Sequence, residues 1–143
     1  MATERKAEVV WQGDLMNGSG TIGEVGSGAF GPLDVSWASR AEEPNGKTSP
    51  EELIAAAWAA CFAMALSNGL AQAGNPPEKL ETSATVTFQP GEGIVRGALA
   101  VRGTVPGLDD AAFKAAAEAA SRNCPVSKAL AGVPEVTFDA SLA

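Results

Sequence analysis

The chain has no histidine and no tyrosine, only two cysteines in 143 residues, and no excess of basic residues. With two isolated thiols and no imidazole, a four-ligand zinc site of the usual kind cannot be assembled. Neither a metal nor any other cofactor is expected. The net charge of −7 and a pI near 4.5 leave no basic stripe to neutralise phosphates, so nucleic acid is excluded as a partner. The start, Met1-Ala2-Thr3-Glu4-Arg5-Lys6, carries no apolar secretory segment. That points to the cytoplasm, where thiols stay reduced and a standing structural disulfide is uncommon. The longest run with neither a charged nor a strongly polar residue, Leu53 to Leu66, covers fourteen residues, short of the roughly 18 that cross a bilayer. It reads as a buried core helix, and no membrane partner is expected.

What the chain does contain is alternation and turn chemistry. Residues 7–12 alternate, with Ala7, Val9 and Trp11 on one face, as in a half-buried strand. Gly13-Asp14 and Asn17-Gly18-Ser19-Gly20 read as turns, followed by strands over Thr21–Val25 and Leu33–Arg40. Ser49-Pro50-Glu51-Glu52 is a helix start: an N-cap serine, proline at the first helical position, and two acids where the dipole favours them. The spacing of Ser49 and Glu52 matches a capping box. This helix runs to about Ala73 and is stopped by Gly74 and Pro76-Pro77. Leu53, Ile54, Ala57, Trp58, Phe62, Met64, Leu66 and Leu70 make it apolar nearly all round, so it has to be buried on all sides. One small sheet covers one side only, which predicts a second chain on the other.

Residues 81–105 read as an antiparallel hairpin about Pro90-Gly91-Glu92-Gly93. Asp109 or Asp110 starts a helix with an inward stripe of Phe113, Ala116, Ala117 and Ala120. A short helix over Pro125–Leu130 and a last strand through Val136, Phe138 and Ala140 complete the chain. The predicted order is βββ-α-ββ-α-α-β, a single α+β domain over residues 1–143.

Cys124 directly precedes Pro125, at the predicted N-cap of the short helix, where orphan N–H groups favour a thiolate. Arg122 and Lys128 add positive charge nearby in sequence. Cys61 lies deep in the long helix, where burial makes a thiol less acidic. On this reading Cys124 is the more reactive thiol, unless a cation reaches Cys61 from elsewhere. Free cysteine is also a common small core residue, so composition alone leaves a purely structural role open.

The segment Thr48-Ser49-Pro50-Glu51-Glu52-Leu53-Ile54-Ala55-Ala56-Ala57-Trp58-Ala59-Ala60-Cys61-Phe62-Ala63-Met64-Ala65-Leu66 resembles the central-helix motif of the OsmC/Ohr family. Asn123-Cys124-Pro125-Val126-Ser127 resembles that family's second motif. Trp11-Gln12-Gly13-Asp14 and Ser39-Arg40 look like the OsmC branch. The resemblance spans essentially the whole chain. It implies an α+β fold in which antiparallel sheets wrap long central helices within an intertwined homodimer. It also implies a thiol-dependent, stress-responsive peroxidase of organic hydroperoxides, with Cys61 attacking and Cys124 resolving. By the same resemblance Arg40 activates Cys61, Glu51 orients Arg40, and the reductant is a dithiol, for which a lipoyl-bearing protein is the candidate.

Apolar pocket walls are expected from Leu53, Trp58, Phe62 and Met64, favouring alkyl or fatty-acid hydroperoxides over hydrogen peroxide. Glu51 and Cys61 are separated by about 15 Å along one helix and lie on different faces. If both act at one site, they come from different subunits. Two departures stand out: the first hairpin turn lacks the arginine of the Ohr branch, and Trp58 replaces a common histidine. Competing readings are a non-catalytic small-ligand binder of the same fold and a structural stress protein.

Overall fold

A computed structural model describes residues 1–143. The chain forms two compact units, Met1–Leu53 and Ile54–Ala143.

In the first unit β1 (Val9–Gln12), β2 (Ser19–Ile22) and β3 (Leu33–Val35) form an antiparallel sheet in that order. β1 is exposed along its whole length, with Val9 57% and Val10 66% accessible. The strand read from the alternation of residues 7–12 is present over Val9–Gln12, but the expected burial of one of its faces is not. Gly20 lies under Trp11 and Val35; a Cβ there would come within 2.7 Å of the indole. The expected strand over Leu33–Arg40 also needs correction. It ends at Val35, and α1 (Trp37–Ala41) takes over. The cause is a local competition: the Ser36 hydroxyl accepts from Ser39 N–H, and the Ser39 hydroxyl accepts from Ser36 N–H. This reciprocal cap ties up the backbone groups that a continuing strand would need.

α2 (Pro50–Gln72) starts as its sequence predicts, with Glu52 N–H donating to the Ser49 hydroxyl at 3.2 Å. The Glu52 carboxylate accepts from the Thr48 hydroxyl at 2.9 Å. It ends in a Schellman turn: Asn75 N–H reaches Leu70 C=O, Gly74 N–H reaches Ala71 C=O, and Gly74 takes φ +90°. At 23 residues and mean hydropathy 1.7, α2 is long and apolar enough to cross a membrane, so length does not exclude a span as the fourteen-residue stretch free of strongly polar residues did.

In the second unit β4 (Lys79–Gln89) and β5 (Gly93–Thr104) make the predicted hairpin, and β6 (Glu135–Leu142) pairs parallel to β5. A parallel partner requires a crossover. It is supplied by α3 (Asp110–Asn123), capped by Asp109, and α4 (Pro125–Ala129). Along α2, Trp58, Phe62, Leu66 and Leu70 recur every four residues and are all buried. They pack in one core with Leu99, Val101, Phe113, Ala117 and Cys124. Full burial of side chains such as Phe62 and Leu66 stabilises by about 1.5–3 kcal/mol each. The opposite stripe of α2, Ala57, Ala60, Met64, Asn68 and Ala71, is open on one chain, with Met64 73% exposed.

Candidate active site

α2 carries Cys61 one helical step from the core residue Phe62, half-buried; Cys124 ends α3, caps α4 and is fully buried. Their sulfurs stand 2.9 Å apart and share a hydrogen bond. A disulfide requires an approach of only about 1 Å more. Sixty-three positions of sequence separation are thus closed by the packing of α3 and α4 against α2.

The two thiols differ in environment. Burial pushes Cys61 up from the ordinary thiol range, and the hydrogen bond and charge of Cys124 push it further; only the Val126 backbone opposes this. Burial also raises Cys124, but the hydrogen bond from Cys61 and the backbone and hydroxyl of Ser127, with the Val126 backbone, outweigh it and hold it low. α4 is a single turn, so local N–H groups rather than an extended helix dipole favour the Cys124 thiolate. The lowering comes from these hydrogen bonds rather than from the side chains of Arg122 and Lys128 that the sequence suggested. Those two side chains line a pocket of about 320 Å³ together with Trp58, Leu99, Ser127 and Phe138.

Arg40 is on α1 and Glu51 in the first turn of α2, both in the first unit, and they form a forked ion pair. Arg40 Nη2 donates to Glu51 Oε1 at 2.7 Å, and Nε reaches Oε1 at 3.0 Å and Oε2 at 3.2 Å. Two donors on one carboxylate fix the guanidinium plane as a lysine could not. Glu51 is 5% exposed.

Within one chain the four expected pocket residues have different surroundings. Phe62 lies fully in the core, edge-on to Phe138, whereas Met64 lines an open groove of about 660 Å³ with Ala63, Ser67 and Leu80. Leu53 is half-buried in the first unit. Trp58 is buried, and its indole N–H donates to the Ser127 hydroxyl at 2.8 Å. The helical period separates these side chains: positions 58 and 62 share a face, and 64 turns away from it.

Ser127 and Gly97 were not singled out by sequence. The signal for Ser127 was its place three residues after Cys124, one helical turn along. Gly97 sits beneath the indole of Trp58, where a Cβ would come within 2.9 Å of the ring; nothing in sequence marked that approach.

The family model described as OsmC-like protein matches residues 43–139. Peroxiredoxin OsmC of Escherichia coli (strain K12) is 38% identical over 145 aligned positions, covering 99% of each chain. An organic hydroperoxide resistance protein of Xanthomonas axonopodis pv. citri is 34% identical over 95 positions, covering 64% of this chain and 65% of its own. Among solved structures, an organic hydroperoxide resistance protein OsmC from Legionella pneumophila superposes with a TM-score of 0.70 at 26% identity. That match covers 95% of this chain and 96% of the other. With both cysteine-bearing segments inside the matched region, the chain belongs to the OsmC-like protein family.

Proposed function

We propose that this protein is a thiol-dependent peroxidase that reduces organic hydroperoxides, with Cys61 attacking and Cys124 resolving. The single observation that carries this reading is the 2.9 Å separation of two free thiols, one half-buried and the other enclosed. The Cys61 thiolate attacks the terminal peroxide oxygen and the O–O bond breaks. The alkoxide leaves and takes a proton to become the alcohol, and Cys61 is left as a sulfenic acid. Cys124 as thiolate then attacks the Cys61 sulfur, the S–O bond breaks, and the oxygen departs as water after taking a proton. The resulting disulfide is reduced by an external dithiol through exchange, and a lipoyl-bearing protein is the candidate donor.

Within one chain the acidity order favours Cys124, so Cys61 needs a cation to become the attacking thiolate. Arg40, held in plane by Glu51, is suited to that role. Glu51 lies about 15 Å from Cys61 along the same helix, so the pair acts on the partner subunit's Cys61 in a homodimer. The open apolar stripe through Ala57, Ala60 and Met64 supports that dimer and a preference for alkyl over hydrogen peroxide. Both compact units then serve one domain.

The test is dithiol-dependent turnover of cumene hydroperoxide by wild type, Cys61→Ser and Cys124→Ser. Cys61→Ser should abolish turnover. Cys124→Ser should consume about one equivalent and trap a sulfenic acid on Cys61. Oxidation trapped on Cys124 instead, in the Cys61→Ser protein, reverses the roles.

A further inference from the structure

Trp58 has no role in the reaction as described, yet it is 3% exposed and ends in a polar contact with the helix that carries Cys124. An indole N–H is a donor only. In the 2.8 Å contact the Ser127 oxygen must therefore accept, which leaves the serine's own proton free to turn elsewhere. Ser127 is three residues beyond Cys124, in the first turn of α4. The ring cannot shift easily to release this contact. It lies over Gly97, whose missing Cβ is the space it occupies, and it belongs to the buried core with Leu99 and Phe62.

We propose that Trp58 is a positioning residue for the second thiol: its indole N–H fixes the Ser127 oxygen so that the serine O–H is presented to the Cys124 sulfur. The inference rests on the reading of Cys124 as the resolving thiol.

As a thiol, Cys124 accepts no cap hydrogen bond from α4. As a thiolate it gains the Ser127 hydroxyl and the Ser127 and Val126 backbone, which act against its burial. Of the titratable groups around it, Cys61 of α2 is in direct contact, and Arg122 of α3 and Lys128 of α4 line the adjoining pocket with Ser127. The relay thus raises the thiolate fraction of Cys124 when it must attack the sulfenic acid of Cys61. On the earlier attack on peroxide it acts only through the charge of Cys124, which opposes rather than assists ionisation of Cys61. It also gives the tryptophan a purpose distinct from lining a pocket: a neutral donor that does not titrate near neutral pH, in contrast to an imidazole.

The experiment follows thiolate absorbance at 240 nm against pH in the Cys61→Ser background, without peroxide. Cys124 is then the single thiol, and with no tyrosine in the chain nothing else of that kind titrates. Trp58→Phe keeps the ring and removes the donor, Ser127→Ala removes the relay, and the double variant removes both. Circular dichroism checks that each folds. Each single variant should move the Cys124 midpoint up by about 0.5–1 pH unit, a three- to tenfold loss of thiolate below it. The double variant should move it no further than Ser127→Ala alone. With Cys61 restored, closure of the disulfide after one equivalent of hydroperoxide should slow by a similar factor at pH 7 and recover at higher pH. Formation of the sulfenic acid should not slow.

An unchanged midpoint in folded Trp58→Phe overturns the proposal, as does an additive double variant. Should Trp58→Phe fail to fold, an unchanged midpoint in Ser127→Ala overturns it as well, and a raised one supports it. If wild type forms no 61–124 disulfide with peroxide, the peroxidase reading fails. The peroxide-free midpoint still decides the role of Trp58.

Discussion

Removing the Arg40 guanidinium while leaving Glu51 in place should be costly, and removing both should not. The carboxylate of Glu51 is 7% exposed at its side chain and the guanidinium 33%, with a closest contact of 2.7 Å. With charge centres about 4 Å apart and an effective dielectric near 20, the attraction is about 4 kcal/mol. Water at the arginine and the desolvation of both groups reduce what the pair adds to stability. The cost of Arg40→Met is nevertheless about 3 kcal/mol, because Glu51 is left enclosed without its partner. Glu51→Gln should cost about 1–2 kcal/mol, since an amide oxygen still accepts and Arg40 has some access to water. Arg40→Met with Glu51→Leu together should lie within about 1 kcal/mol of wild type. With Glu51→Leu alone also costing about 1–2 kcal/mol, because Arg40 keeps some access to water, the coupling in this cycle is at least about 3 kcal/mol.

The assay is urea unfolding followed by fluorescence of the three tryptophans, at one fixed protein concentration because an oligomer's midpoint depends on it. Single effects that simply add in the double variant would refute the coupling. The same variant then separates stability from chemistry. A folded Arg40→Met/Glu51→Leu protein should lose most hydroperoxide turnover, and Arg40→Lys should keep part of it by retaining charge without the planar fork. Near wild-type turnover in the double variant would mean that another cation activates Cys61.

Gly97→Ala places a Cβ 2.9 Å from the Trp58 ring; overpacking of this kind should cost about 1–3 kcal/mol in a urea midpoint, with a change in the Trp58 emission. Mixing Cys61→Ser with Glu51→Gln subunits should restore turnover to roughly a quarter of the wild-type sites, since random exchange gives half heterodimers and each regains one complete site of two. No recovery, with exchange verified by native mass measurement, would count against a shared site.

The helix start at Ser49-Pro50, its end at Gly74, the hairpin over β4 and β5, and Cys124 as the cap of α4 were all legible in the sequence. Each depends on residues within a turn or two of one another, where side-chain chemistry acts directly on the neighbouring backbone. Residues 36–40 were the local exception. Their alternation resembled a strand, but the reciprocal Ser36–Ser39 cap overrode it and put Arg40 on a helix facing Glu51. What lay beyond the sequence is long-range. The parallel pairing of β6 with β5, the seating of Trp58 over Gly97, and the approach of Cys124 to Cys61 each join positions dozens of residues apart. The composition and motifs determined which side chains could do chemistry, namely two thiols and one guanidinium–carboxylate pair. Only the packing of α3 and α4 against α2 decided that the thiols meet, whereas the greater acidity of Cys124 was already legible in its place before Pro125. Distance, burial and hydrogen-bond donors at a sulfur are properties of the enclosing structure rather than of the residue.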